Sequence, residues 1–254
     1  MSSLKGKRGL VVGIANEASI AYGCAAAFRE AGAELALTYL NDKAKPYIDP
    51  ISEKLEATML LPCDVREPGQ IKALFAQIEA EWGRLDFLLH SIAFAPRDDL
   101  HGRVTDCSQS GFDLAMNVSC HSFIRMVRSA EPLMRDGGVA MTMSYYGAEK
   151  VVDNYNLMGP VKAALEASVR YMAAELGHKN IRVYGVSPGP VPTRAASGID
   201  RFDELMEAAA ARAPRHSLVT IEQIGKVARF LASDEADGMT GNIVHVDNGT
   251  HIIG

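Results

Sequence analysis

RGLVVGIANEASIAYGCAAAFREAGAELALTY, residues 8–39, encodes a strand, a tight turn, a helix and a second strand in that order. Arg8–Val12 is a short apolar run of the kind that fills a buried strand. Gly13 permits a sharp turn, and Ser19 stands where a helix begins. A helix is expected from about Ser19 to Ala31, and Glu34–Tyr39 returns to the β pattern.

The same rhythm continues along the chain. Further strands are expected at 58–62, 85–92, 138–144, 181–186 and 243–246. Helices are expected at 68–82, near 109–134, at about 160–176 and at 221–232. Ile71, Leu74, Phe75, Ile78 and Trp82 fall at helical spacing. Thr220 and Gln223 form a possible capping box. Strands and helices alternating in this way build a parallel sheet covered on both faces. The expected fold is α/β, a doubly wound parallel sheet of Rossmann type with about seven strands. Residues 1–254 suit one dinucleotide-binding domain better than two. Ligands of such sheets sit at the carboxyl ends of the strands.

Composition excludes several classes. A net charge of −5 disfavours nucleic acid as a partner. No apolar run approaches the length of a membrane span. The opening Met-Ser-Ser-Leu-Lys-Gly-Lys-Arg runs straight into a strand and leaves no room for a signal peptide, so a cytoplasmic location is expected. Cys24, Cys63, Cys107 and Cys120 form no C-x-x-C and are expected as free thiols. The seven histidines form no H-x-x-x-H or Cys/His cluster, and no metal is expected.

Two constellations carry chemistry. The loop Gly13-Ile-Ala-Asn-Glu-Ala-Ser19-Ile20 lacks the G-x-G-x-x-G pattern. It still places a helix start after a strand, where backbone N–H groups hold a pyrophosphate. An ordinary turn with Ser19 as N-cap remains open beside that. Asp64, directly after the third strand, either accepts from an adenine amino group or closes a turn. No arginine stands at the tip of the second strand to meet a 2′-phosphate, which favours NADH over NADPH.

Tyr155 and Lys162 form the second constellation. Their spacing approaches two helical turns and brings both side chains to one side. An ammonium beside a phenol is expected to lower the phenol's pKa. Such a Tyr can donate to an oxygen on which charge develops. Pro160 puts the start of the regular helix near Gly159, so Tyr155 reaches the site from the turn before it.

Six motifs together resemble the bacterial enoyl-acyl carrier protein reductases, a divergent branch of the short-chain dehydrogenase/reductase superfamily. They are Gly13-x5-Ser19-Ile20-Ala21, Cys63-Asp64-Val65, His90-Ser91-Ile92-Ala93-Phe94-Ala95-Pro96, Ser144-Tyr145-Tyr146-Gly147-Ala148-Glu149, Asn154-Tyr155-Asn156-x5-Lys162-Ala163 and Ala195-Ala196-Ser197-Gly198-Ile199. The resemblance spans nearly the whole chain. It implies a hydride transfer from NADH to the double bond of an enoyl thioester carried on acyl carrier protein, and a homotetramer. It assigns catalysis to Tyr155 and Lys162, with Tyr145 as a second active-site tyrosine. Gly13, Ser19, Ile20, Asp64, Val65, Ile92 and Lys162 match NAD-contacting positions. So do Val191, Pro192, Thr193, Arg194 and Ala195 on the nicotinamide side. Leu40 stands at the adenine side, where relatives often carry Gln. Ala95 matches a substrate contact.

Two rival readings stay open in the sequence. Tyr146 and Lys150 form a literal Tyr-x3-Lys, the spacing of ordinary ketoreductases in the superfamily. A sensor that binds NAD(H) without turning it over would show the same nucleotide-binding pattern. The stretch 193–215 carries Arg194, Arg201, Arg212 and Arg215, and is either a solvated surface or a substrate-covering lid that meets an acidic carrier.

Overall fold

Seven strands lie parallel in a single sheet in the computed structural model, which describes residues 3–193 and 201–253. They are β1 (Arg8–Val12), β2 (Glu34–Tyr39), β3 (Met59–Pro62), β4 (Phe87–His90), β5 (Gly138–Met143), β6 (Ile181–Pro188) and β7 (Ile243–Val246). The order across the sheet is β3-β2-β1-β4-β5-β6-β7. The chain winds outward from β1 to β3, then returns to β4 and winds the other way. That reversal opens a crevice at the carboxyl ends of β1 and β4, where a doubly wound sheet takes its ligand.

Alternate side chains of each strand enter different cores. Val11, Leu35, Leu37, Leu89 and Met141 face a layer made by α1 (Ile20–Glu30), α2 (Lys45–Lys54) and, far along the chain, α9 (Ile221–Ala232). Leu10, Leu88 and Ala140 face the layer made by α3 (Gln70–Trp82), α5 (Gln109–Met116), α6 (Ser122–Ala130) and α7 (Met158–Leu176). Two further helices are α4 (Arg97–Leu100) and α8 (Phe202–Arg212). Phe28, Phe87, Phe123 and Tyr184 are wholly buried, and each such side chain contributes on the order of 2 kcal/mol by leaving water. The tightest helix approach is α1 on α9. A Cβ on Gly225 would lie 2.2 Å from the Gly23 carbonyl oxygen, so only glycine lets these helices meet at that distance.

The strand and helix succession follows the expectation apart from the additional helices α4 and α8 and three further differences. The helix expected near 109–134 is broken. A π-helical turn at Asn117–His121 separates α5 from α6, and Pro132 sits in a closing 3₁₀ turn. In the π segment the Ser119 hydroxyl both accepts from the Phe94 N–H and donates to the Phe94 carbonyl, each at 2.9 Å. The irregular turn thereby holds the loop that follows β4. The second difference is α2, which the periodicity of the sequence does not announce. Pro46 and Pro50 weaken any local helix signal. Burial of Ile48 and Ile51 against the sheet layer supplies what propensity does not. Third, β4 is shorter at both ends than 85–92, while its four residues are all buried. The capping box at Thr220 and Gln223 is present in both directions.

Candidate active site

A cavity of about 430 Å³ opens at the carboxyl ends of β1, β4, β5 and β6. Gly13, Ser19, Ile20, Ile92, Ala95, Tyr145, Tyr155, Lys162, Val191 and Thr193 line it, ten of the residues singled out in the sequence. Leu40, Asp64, Val65 and Pro192 do not line it. Leu40, Asp64 and Val65 follow β2 and β3, farther along the same sheet end. Arg194 and Ala195 lie outside the described residues.

Tyr155 enters from an irregular turn just before α7, as Pro160 in that helix's first turn requires. Its neighbours Asn154 and Asn156 both have positive φ, 62° and 39°, a conformation that asparagine adopts more readily than most residues. The Asn156 side chain donates to the Leu100 carbonyl at 3.0 Å and fixes the turn. On the other side, a Cβ at Gly147 would lie 2.4 Å from the Tyr155 ring. Glycine is required there, and the sequence gives no sign of it because the ring that fills the space is eight positions away. The Tyr145 ring meets Tyr155 edge-on, with centroids 4.8 Å apart.

Lys162 is buried in the first turns of α7 and donates to the Met143 carbonyl at 2.6 Å, which ties the helix to the end of β5. Burial pulls its pKa down to about 8. The expected lowering of the Tyr155 pKa does not occur. Burial raises it instead, and the nearby Tyr145 and Glu166 reinforce the rise. Tyr145 is pushed up to about 12, mainly by burial. Both phenols are therefore neutral hydrogen-bond donors at ordinary pH. A lysine near the phenol is legible in the sequence, whereas the desolvation that sets the phenol's pKa is not.

The nucleotide end is built from backbone. Gly13 has φ +110°, and a Cβ there would sit 2.1 Å from the Ser91 carbonyl oxygen. The loop after β1 thus lies directly against the loop after β4. Ser19 makes no side-chain cap on α1. Its hydroxyl accepts from the Ala15 and Asn16 N–H groups at 3.0 and 3.1 Å, which shapes the loop and leaves the helix start open toward the cavity. A helix start of that kind accepts anionic oxygen. The Asp64 carboxylate receives the Arg66 guanidinium at 2.6 Å and the Arg66 N–H at 2.9 Å, and the arginine holds its pKa below the usual range. It therefore closes a turn, whatever else it contacts.

The rival pair stands elsewhere. Tyr146 and Lys150 do not line this cavity. They line a neighbouring depression of about 870 Å³, together with Arg201, Arg212 and the C-terminal Thr250–Ile253 segment. Leu100, Met143, Phe202 and Leu205, which lie outside the sequence motifs, also reach the main cavity and with Met158 give it an apolar wall. Their spacing along the chain carries no common signal. Folding also gathers His245, Asp247 and His251, whose ligand atoms lie within 4.8 Å of one another. The two imidazoles are stacked at 3.9 Å and 10°, so their in-plane lone pairs run side by side and do not converge. The Asp247 carboxylate is already taken by the His251 ring and two backbone N–H groups.

The sequence model of the family described as enoyl-(acyl carrier protein) reductase matches residues 13–251. The chain belongs to this family. The enoyl-(acyl-carrier-protein) reductase (NADH) 1 of Rhizobium meliloti is 46% identical over 251 residues, which cover 99% of this chain and 92% of the relative. Among solved structures, the NADH enoyl reductase of Aquifex aeolicus is 46% identical with a TM-score of 0.95, covering 99% of each chain. The enzyme of Anaplasma phagocytophilum, solved in complex with NAD, is 44% identical with a TM-score of 0.96 over 100% of this chain and 97% of its own. Membership in the enoyl reductase family fits a site in which a buried tyrosine and lysine share one cavity with a nucleotide-binding loop.

Proposed function

We propose that this protein reduces the trans-2 double bond of enoyl thioesters carried on acyl carrier protein, with NADH as the donor. One observation carries this reading: Tyr155 and Lys162 line the same cavity as the Gly13–Ser19 loop, and Tyr146 and Lys150 do not. The loop has no room for a Cβ at Gly13 and presents a helix start, which suits a dinucleotide pyrophosphate. When bound there, NADH supplies a hydride to the β-carbon of the enoyl thioester.

The chain's own groups do the rest. The Tyr155 hydroxyl hydrogen-bonds the thioester oxygen as negative charge moves onto it, Tyr145 backs its ring, and a proton from solvent or relayed through Tyr155 then reaches the α-carbon and completes the reduction. Lys162 holds the nicotinamide ribose and keeps the site positive. Val191, Pro192 and Thr193 would hold the nicotinamide side of the cofactor. Leu40, Asp64 and Val65 extend the site toward the adenine, with Ile92 beside them. Ala95, Phe202 and Leu205 border the acyl chain. The lid expected at 193–215 is represented among the described residues by α8, whose Phe202 and Leu205 cover the substrate.

The protein works in the cytoplasm as a homotetramer. Its four cysteines are free, as a reducing compartment keeps them. Among the described residues no helix is long and apolar enough to cross a membrane. Phe112 on α5 and Tyr171 on α7 offer exposed apolar surface for subunit contact. The reading assigns no role to a metal or to nucleic acid.

The deciding assay supplies NADH with crotonyl-CoA, and separately with acetoacetyl-CoA. Enoyl turnover that survives Tyr146→Phe supports the reading. Ketone turnover destroyed by Tyr146→Phe, or saturable NADH binding with no turnover, overturns it.

Arg201, Arg212 and Lys150 stand at the neighbouring depression against Asp153 and Glu204, the latter paired with Arg201 at 3.0 Å, which leaves one excess positive charge among these five side chains. Positive charge there steers an acidic carrier toward the acyl site. Reversal of both to Glu is expected to raise KM for carrier-linked substrate about tenfold while sparing a CoA thioester. Initial rates on the two substrates measure this, and equal effects on both refute carrier docking at this edge.

A further inference from the structure

Glu166 lies one helical turn beyond Lys162 on α7 and is buried, 5% exposed. Neither the motifs nor the mechanism above uses it. The two residues grip consecutive positions at the end of β5. Lys162 donates to the Met143 carbonyl, and Glu166 accepts from the Ser144 hydroxyl. Ser144 is itself tied to β6 through its N–H, which donates to the Val186 carbonyl at 2.7 Å. The next residue is Tyr145, whose ring meets Tyr155.

A buried ammonium needs a counter-charge or it gives up its proton. The groups that face Lys162 come from three elements. His90 on β4 is fully buried, with its pKa pulled down to about 3, and is therefore neutral. Cys120 in the π turn is a thiol whose pKa burial raises, so it too is neutral. Against the larger effect of burial, Cys120 and then the Glu166 carboxylate, four positions on along α7, favour the charged form of the ammonium, and Glu166 is the one carboxylate among them, acting without a direct ion pair. Burial, the largest effect, raises the Glu166 pKa with help from Glu149, against Ser144, Arg170 and Lys162, which favour its ionised form. Tyr155 also feels its charge.

We propose that Glu166 is a positioning residue of the reductase site, the counter-ion that keeps Lys162 charged and, through Ser144, the second anchor of the strand end that carries Tyr145. The proposal rests on the reductase reading only for its kinetic consequence. The electrostatic part concerns Lys162 alone and is read by cofactor binding.

Glu166→Gln keeps size and an acceptor for Ser144 but removes the charge. Lys162 then loses its proton at lower pH. NADH affinity, followed by nucleotide fluorescence from about pH 6 to 9.5, is expected to begin its alkaline decline about one pH unit earlier than in the unaltered protein. Ser144→Ala keeps the charge and removes the anchor, so it lowers kcat for enoyl reduction several-fold without moving that decline. Glu166→Asp, which retains a carboxylate, brings the decline back toward its original pH. It also serves as the readout if the Gln variant proves too unstable. An unmoved decline in Glu166→Gln overturns the proposal, and so does an equal displacement in Glu166→Asp and Glu166→Gln. Absence of enoyl turnover with the displacement intact would overturn the reductase reading and leave the counter-ion standing.

Discussion

Lys162→Ala is expected to lower kcat/KM for enoyl-thioester reduction by about a thousandfold, the scale set by removal of one preorganised donor from a dry site. Two losses combine. The ammonium is buried at the cavity wall, where low dielectric makes each charge interaction strong. It is also the donor that ties α7 to the Met143 carbonyl, so its removal leaves a buried acceptor without that partner. Lys162→Met separates the two effects, because it restores the volume of the side chain and none of its charge. Steady-state kinetics with varied NADH, beside thermal melts of both variants, checks this. A Met variant that melts near the parent yet retains more than about a tenth of its kcat/KM would remove Lys162 from the mechanism.

Tyr155→Phe is the second large effect, expected to lower kcat about a hundredfold while leaving KM for NADH nearly unchanged. In the proposed mechanism the Tyr155 hydroxyl meets the oxygen that gains charge, so its contribution would belong to the transition state. Its pH signature follows from burial. The Tyr155 pKa is raised, so the hydroxyl stays protonated across the working range and contributes no ionisation of its own. Lys162 is held down to about 8. In the proposed mechanism the charged form is the active one; it is complete well below that value and lost as pH rises through it. The rate kcat/KM should therefore decline above about pH 8, and the decline should persist in Tyr155→Phe. A pH profile measured for both proteins decides the point. Loss of the alkaline limb in the Phe variant would assign that ionisation to the phenol.

The legible part of the site is the part built from local backbone rules. Gly13 is needed because φ is positive and the Ser91 carbonyl is close, and a glycine after an apolar run advertises such a turn. Pro160 correctly places the start of α7 and sets Tyr155 before it. The Thr220–Gln223 box marks the start of α9. What stays hidden depends on neighbours far along the chain. Gly147 is explained only by the Tyr155 ring, and Glu166 only by Ser144 and Lys162. Phe202 and Leu205 look like ordinary helix residues until α8 is placed over the cavity. The π turn at Asn117–His121 has no periodic signature, since its reason is the Phe94 backbone that Ser119 holds.

The strand succession, most of the helices and the parallel sheet follow from sequence alone, which also narrows the chemistry to two tyrosine–lysine pairs. Side-chain period, turn residues and proline position act over a few residues and are written into any short window. The tertiary structure alone decides the charge states and the choice between two tyrosine–lysine pairs. Desolvation raises the phenol that a nearby ammonium was expected to lower, and burial is a property of the packed whole. Tyr146 and Lys150 have the more familiar spacing, but the strand end turns them toward a different depression, and no window of sequence contains the direction in which a strand end points.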